Sequence, residues 1–315
     1  MTYKHFYLTI MSFFFAMSIG CSSVEKTAIT SKTSYTTLNG AAYYNEVSIA
    51  DSLFMNQSYR ASFNKLNFLL NNGGLKNSFR NSEYRVYMLT KHYLGKQITR
   101  KDFELLIAKY GIIEPNIKSD TLLFPYYQKS GITPVIYKEL RSEYLKSLDL
   151  ELRDSIILMV EKDQYYRVEY YGDDRLEKRK QIDIKHEKVL IDLFEKEIYP
   201  SQEVVGNYFV DNKFIDTELL LLHTQDSIRL KYFLPKIRKF ILEKKCSPYL
   251  YANMVDQYQL YNEKEQIYGS YNIAQLEEKD FSRYNRNRKL LGLGLRSVEY
   301  DIWRDKLIRS KYYSK

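Results

Sequence analysis

Residues 43–74 read YYNEVSIADSLFMNQSYRASFNKLNFLLNNGG, and the fold class turns on how they are parsed. Val47, Ala50, Leu53 and Phe54 recur at helical spacing, the period that makes one face of an α-helix apolar. Asn56, Gln57 and Ser58 interrupt the pattern, and Tyr59, Phe63, Leu66 and Leu69 resume it. Asn71-Asn72-Gly73-Gly74 ends the second helix, because glycine accepts the left-handed backbone that closes a helix. Two amphipathic helices joined by a short polar link predict an antiparallel helical hairpin.

A second pair comes next. A helix over Tyr84 to Leu94 breaks at Gly95, and another starts from Lys101 with Thr99 as N-cap and Asp102 three residues on. Its apolar face is Phe103, Leu106 and Ile107, and Tyr110-Gly111 closes it. The two pairs resemble tetratricopeptide-type repeats over about 41–111, with a plain helical bundle as the other reading. Two units are fewer than a free-standing solenoid needs, so they are expected to pack on the C-terminal part of the chain. Ser119 to Ile132 reads as a connection, and Pro134 to about Tyr165 as helix with a break near Leu148. Asp216 predicts a cap for Thr217 to Thr224, and a helix from Ser227 to Lys245 should bend at Pro235. Ser247-Pro248 opens a further helix to about Tyr261. Only Val204 to Val210 and Gln266 to Tyr271 read as strands. The expected fold is mainly α: helical hairpins followed by an α-helical domain with at most short strands.

The start of the chain carries an address. Lys4 is followed by an uncharged, mostly apolar run from Phe6 to Gly20, shorter than the roughly 20 residues a spanning helix needs. A basic start, a short apolar stretch and a small-residue exit make an export signal. The exit, Ser18-Ile19-Gly20-Cys21, resembles the lipobox of bacterial lipoproteins, with Ser18 where leucine is usual. This resemblance implies cleavage after residue 20, acylation of Cys21 and anchoring to an envelope membrane. Ser22 stands where aspartate would signal inner-membrane retention, which points to the outer membrane. The domain plan is therefore a signal peptide (1–20), a Ser/Thr-rich tether (21–40), a helical repeat-like region (41–147), a second helical domain (148–275) and a basic tail (276–315).

Composition narrows the rest. Hydrophobic content of 44% suffices for a core. With Cys21 spent on the anchor, Cys246 stands alone, so stability must come from packing. The 31 tyrosines leave open an aromatic binding surface or a plain compositional bias. Formal charge is +9, and ten Lys or Arg lie between Ser282 and Lys315 against Glu299, Asp301 and Asp305. That tail reads either as a solvated basic helix or as an attractor of anionic lipid or polysaccharide. Nucleic acid is a third attractor in principle, but exported proteins rarely meet it, and no nucleic-acid partner is expected.

A distributed set of residues then points to a family. Met159, Asp163, Gln164 and Arg167 come first, followed by Pro200, Val205 and Gly206, and by the apolar run Leu219 to Leu222 ending in His223. Asp256 and the series Gln266, Tyr268 and Gly269 complete it. Over about 152–271 this resembles domain of unknown function 6624, and Asn285, Arg286, Arg288, Leu291, Gly292 and Leu293 resemble a tail of its lipoprotein members. The resemblance implies a helical domain beside a tetratricopeptide-like half, with these polar residues as candidates. The stretch departs from the family pattern at Ile198 (usually Gly), at Gln257 (usually Arg) and at Ser270-Tyr271 (usually Thr-Gln).

The candidate catalytic residues are Asp163, His223 and Asp256; Gln164, Arg167, Gln266, Tyr268 and Gly269 are candidates for binding. Asp163 and Arg167 stand four apart on one helix, so their side chains meet. Two readings remain open: an arginine oriented toward a carboxylate or phosphate beside an aspartate base, or a structural ion pair. His223 reads as a general base oriented by Asp226, or as a helix-end hydrogen-bonding group. Gln266 and Tyr268 share a face of an extended segment and would meet Asp163 and His223 across a cleft. Among four histidines there is no close-spaced ligand pair, and there is no Gly-rich phosphate loop, Gly-x-Ser-x-Gly or His-Glu-x-x-His motif; no metal and no cofactor are expected.

Two functions emerge as expectations, with oligomeric state left open. One is a membrane-anchored envelope lipoprotein that binds a protein or peptide through its helical half. The other is an envelope enzyme, a hydrolase, built on an Asp/His/Tyr polar cleft. The address is tested by mass spectrometry of the mature N-terminus: an acylated Cys21 is expected, and Cys21→Ser should leave the chain without lipid.

Overall fold

The computed structural model describes residues 38–76, 82–207, 209–210 and 213–313. The signal peptide, Cys21 and most of the tether lie outside the described residues. Among those described, no helix is long and apolar enough to cross a membrane.

The first hairpin forms as its pattern requires. Helix α1 (Gly40–Met55) starts at Asn39, whose side chain accepts from the Ala42 amide at 2.9 Å. It buries Tyr43, Val47 and Ala50, and α2 (Tyr59–Asn71) buries Ser62, Leu66 and Leu69 against it. The Ser62 hydroxyl donates to the Ala50 carbonyl at 2.8 Å, so the helices approach closely where both residues are small. Helix α3 (Ser82–Tyr93) packs on both. Helix α4 (Arg100–Ala108) begins with the expected capping box between Thr99 and Asp102. Two short helices, α5 (Glu114–Ser119) and α6 (Phe124–Lys129), lead to α7 (Pro134–Lys146), which packs on α4.

The break near Leu148 is real, and Asp149 caps α8 (Leu150–Gln164) beyond it. A five-residue π-turn (Tyr165–Glu169) comes next, and then α9 (Arg175–Glu195) returns along α8. In place of the strand expected over 204–210, Val204 and Val205 belong to one helical turn, α10 (Gln202–Val205). Only β1 (Phe209–Val210) and β2 (Lys213–Phe214) pair among the described residues, antiparallel, as a two-residue ribbon. Asp216 caps α11 (Thr217–Leu222). The long helix expected from Ser227 is α12 (Asp226–Ile228), a second π-turn (Arg229–Phe233) and α13 (Leu234–Leu242). Proline lacks the N–H that would continue an α ladder, and the wider turn sits immediately before Pro235. Ser247 caps α14 (Pro248–Glu263). The stretch 266–271, expected as a strand, is a turn.

One contiguous apolar cluster runs from Tyr43 through Phe103, Ile156, Phe194, Phe240 and Met254 to Leu293, so 41–147 and 148–275 share a core. At its centre Phe194 meets Phe233 and Phe240 edge-on, at 5.0 and 5.2 Å between ring centroids. Each such buried ring contributes about 1.5–3 kcal/mol.

The expected basic tail is largely folded. Helices α15 (Phe281–Leu291) and α16 (Val298–Tyr313) and the link between them bury two of its arginines. Arg288 pairs with Asp301 at 2.6 Å, and Arg296 reaches Asp51 of α1, with Nε at 2.9 Å. A positive charge enters a core only with a carboxylate to meet it, and the pattern of net charge alone conceals such pairing. Gly294, at φ +81°, lies on α1; a Cβ there would sit 2.5 Å from the Asn45 amide nitrogen.

Asp51→Ala would leave the Arg296 guanidinium buried and unpaired, and urea denaturation should report a loss of about 3–5 kcal/mol. The double variant Asp51→Leu/Arg296→Met should recover most of it.

Candidate functional site

The helical period that buries Ile156, Met159 and Val160 also carries Asp163 inward. Its carboxylate is 1% exposed. Burial of an anion demands donors, and three side chains provide them. Gln164 Nε2 donates at 2.7 Å, Arg167 Nε at 2.9 Å, and His223 Nδ1 lies 2.9 and 3.1 Å from the two oxygens. Burial pulls the Asp163 pKa upward, but the hydrogen bonds and charges of His223 and Arg167 outweigh it and hold the group below the ordinary aspartate value. An ionised carboxylate only accepts, so Nδ1 of His223 carries the proton facing it. His223 caps the C-terminus of α11, and its side chain is one-fifth exposed.

Arg167 stands on the π-turn and spans two carboxylates: its Nη2 donates to Asp183 of α9 at 2.5 Å. Burial raises the Asp183 pKa against the pull of Arg167, and the charge of Asp163 adds to the rise. One turn further along α9, His186 is buried, and its Nδ1 has no partner among the described residues. Burial pushes its pKa down to about 4, which keeps it neutral. Glu187 accepts from the amide and side chain of Gln225 at 2.9 and 3.1 Å. From the other side Arg229 donates to the carbonyls of Leu222 and Thr224 and to Asp226. The turn that carries His223 is thus clamped between Glu187 and Arg229. Asp226, expected to orient His223, instead pairs with Arg229.

The remaining candidates form a second cluster. Asp256 is fully buried; its two oxygens accept from the amides of Ile267, Tyr268 and Ser270 and from the Ser270 hydroxyl, all at 2.7–2.8 Å. Burial raises its pKa, opposed by these bonds. Gln266 Oε1 accepts from the Tyr271 and Asn272 amides. Arg288 donates to the carbonyls of Tyr268 and Gly269 at 2.7 and 2.8 Å. Gly269 has φ +58°, and a Cβ would press on the Tyr284 ring. These side chains consume the polar backbone of 266–272, which is why it coils instead of pairing as a strand. Tyr268 is part-buried there, with its pKa raised by burial and by Tyr251 and Asp256, against Arg238. No hydrogen bond or ion pair among the described residues joins Asp256, Gln266 or Tyr268 to Asp163 or His223. The structure brings Asp163, Gln164, Arg167 and His223 together and holds Asp256, Gln266 and Gly269 as a scaffold for a turn.

Arg229 relates the two clusters: it holds the His223 turn, and Tyr271 lies near it. Two of the positions that depart from the resembled family pattern are in contact, since Gln257 Nε2 donates to the Tyr271 hydroxyl at 3.1 Å. Cys246 is buried, burial pushes its thiol pKa up, and it packs as an apolar side chain. Among the described residues no group of three His, Cys, Asp or Glu side chains is placed to hold a metal ion. Asp183, His186, Glu187 and Arg229 join the site without having been legible as candidates. For the first three a signal exists: they lie on the same stripe of α9 as the buried Leu190 and Phe194.

No family model matches the chain, and no curated protein or solved structure matches it either. The likeness to domain of unknown function 6624 therefore rests on individual residues alone.

Two of the shifted groups, His186 and Asp163, contribute acid limbs to stability, opposed by the raised carboxyls of Asp183 and Asp256. His186 takes up a proton when unfolded, near its ordinary pKa of about 6.5, but resists it when folded. Stability should fall as pH drops from about 6.5 to about 4, by roughly 2–3 kcal/mol. Below that, the contribution of Asp163, present above its unfolded pKa of about 3.9, is lost as pH passes its depressed folded value. Urea titrations at a series of pH values should show His186→Phe flattening the upper limb alone and Asp163→Asn the lower.

Proposed function

We propose that the chain is an envelope lipoprotein, held through acylated Cys21 and facing its substrate at the outer membrane, and that its helical body is a hydrolase using His223 as general base. The observation that carries this is the pair itself: a buried, ionised Asp163 bonded to Nδ1 of a part-exposed His223. A proton on Nδ1, held toward Asp163, leaves Nε2 as the ring nitrogen that would act as the base. His223 would take a proton from water or a hydroxyl at that edge, and Asp163 would stabilise the imidazolium that results. Arg167 keeps Asp163 ionised, and Asp183 balances Arg167, so the guanidinium is not free to clamp a substrate by both edges. Asp256 and Gln266 serve this reading only by shaping the turn behind Tyr271.

A second reading, a module binding an envelope protein or peptide, has its own support in the helical half. Tyr59 and Tyr93 stack at 4.3 Å, and Tyr93 is exposed. Beside them a cavity of about 320 Å³ is lined by His92, Thr121, Leu122, Pro125, Tyr126 and Lys129.

The mature chain, incubated with envelope peptides, glycans and lipid esters in turn, should hydrolyse one class. His223→Gln should lower that rate by about 10²–10⁴-fold with its circular dichroism retained, and Tyr93→Ala should leave it intact. Absence of turnover, together with full complementation of a deletion strain by His223→Gln, would reject the enzymatic reading.

A further inference from the structure

The tip of the α8–α9 hairpin departs from the rule that apolar side chains face inward. Leu158, Tyr165, Val168, Tyr171 and Leu176 are all exposed, Tyr171 to 81% and Leu176 to 68%. Tyr165, Val168, Tyr171 and Leu176 fall around the π-turn and the entrance to α9, and Leu158 lies two turns back on α8. The inner faces of the same helices are well packed, with Ile156, Ile157, Val160, Leu190 and Phe194 buried; elsewhere on the two helices Leu150 and Val189 are exposed, to 45% and 41%, less than Val168, Tyr171 and Leu176 at the tip. Tyr165, Tyr166 and Tyr170 hold one another there, with ring centroids 5.1–5.9 Å apart, and the Tyr170 hydroxyl donates to Asp174 at 2.6 Å. The tip is a preformed aromatic surface. Exposed apolar side chains concentrated in one region of a surface mark an interaction site.

We propose that this tip inserts into the interfacial layer of a lipid bilayer. The proposal rests on the reading that Cys21 is acylated, because that anchor fixes which surface the body meets. From Cys21 to Leu38 the chain can extend at most about 60 Å, so the body never leaves the neighbourhood of the membrane. Tyrosine, with an apolar ring and a polar end, is enriched at the membrane–water boundary. The charges of the stretch decide the mode of binding. Lys162, Arg175, Lys178, Arg179 and Lys180 are met by Glu161, Glu169, Asp173, Asp174 and Glu177. They cancel, so attachment comes from apolar burial and not from attraction to anionic headgroups. Acylation of Cys21 would hold the chain through the Ser/Thr-rich tether, and a second contact of this kind fixes the orientation of the body.

The test uses the mature chain, residues 21–315, made without acylation, and a Tyr171→Trp reporter. It should float with phosphatidylcholine vesicles and with vesicles containing phosphatidylglycerol alike, unaffected by about 0.5 M salt, which screens charge beyond a few ångströms. Fluorescence of the introduced indole should shift to the blue and be quenched by brominated lipid. The exposed triple variant Val168→Ser/Tyr171→Ser/Leu176→Ser should keep its circular dichroism and lose about tenfold in partitioning. No flotation, or equal flotation of the triple variant, would overturn the proposal. So would binding restricted to anionic vesicles and abolished by salt. Retention of an envelope protein by the tip, without vesicle binding, would replace the membrane with a protein partner. An unmodified Cys21 in cells would overturn the anchor, and the vesicle result would then decide the tip by itself.

Discussion

A buried negative charge organises the second half of this protein. Leaving the Asp163 carboxylate in the core without partners would cost several kcal/mol, and the donors that relieve that cost come from different places in the chain. Arg167 reaches it from the π-turn and His223 from the end of α11, while Asp183 on α9 balances the arginine. Three elements are therefore pinned to one point by electrostatics. The apolar cluster that surrounds them supplies most of the free energy but little of the angular precision. His186, beside the same charges, is kept neutral by burial. One helix face thus holds an ionised pair and an uncharged imidazole side by side.

The second polar centre works through the backbone. Asp256 and Gln266 bind amides, and Arg288 binds carbonyls of the same turn, so a segment with no regular secondary structure has its polar groups satisfied from both sides. The residues that resemble one family in sequence consequently divide by task. Asp163, Gln164, Arg167 and His223 interact side chain to side chain around a part-exposed imidazole, whereas Asp256, Gln266 and Gly269 build a support. Arg229 lies between the two, holding the His223 turn with Tyr271 nearby.

Helices were legible wherever caps and apolar period agreed. Thr99 with Asp102, Asp216, and Ser247 with Pro248 all start helices where expected. The Asp163–Arg167 contact was readable because spacing alone dictates it. What stayed hidden had no local signature. Helix α9 escapes a reading by apolar period because its first half is dominated by charged residues, and its stripe continues through Asp183, His186 and Glu187 where apolar residues would have announced it. The strand expected at 266–271 follows from β-prone residues, but long-range side-chain bonds from Asp256 and Arg288 override that preference. Arg288 and Arg296 count toward a surface charge in the sequence because their partners, Asp301 and Asp51, are assigned only by the tertiary fold.

The clasp of the C-terminal segment on α1 has a bearing on how the molecule comes into being. Arg296 meets Asp51 across 245 positions, and Gly294 lies against the α1 backbone. A chain emerging from the ribosome presents α1 first and the residues that seal it almost last. Until they arrive, Asp51 lacks its counter-charge and one side of the first hairpin is open to solvent. Contacts this distant in sequence form slowly, since loop closure precedes any reward. The packing of the first hairpin is therefore completed only once the last residues of the chain have been made.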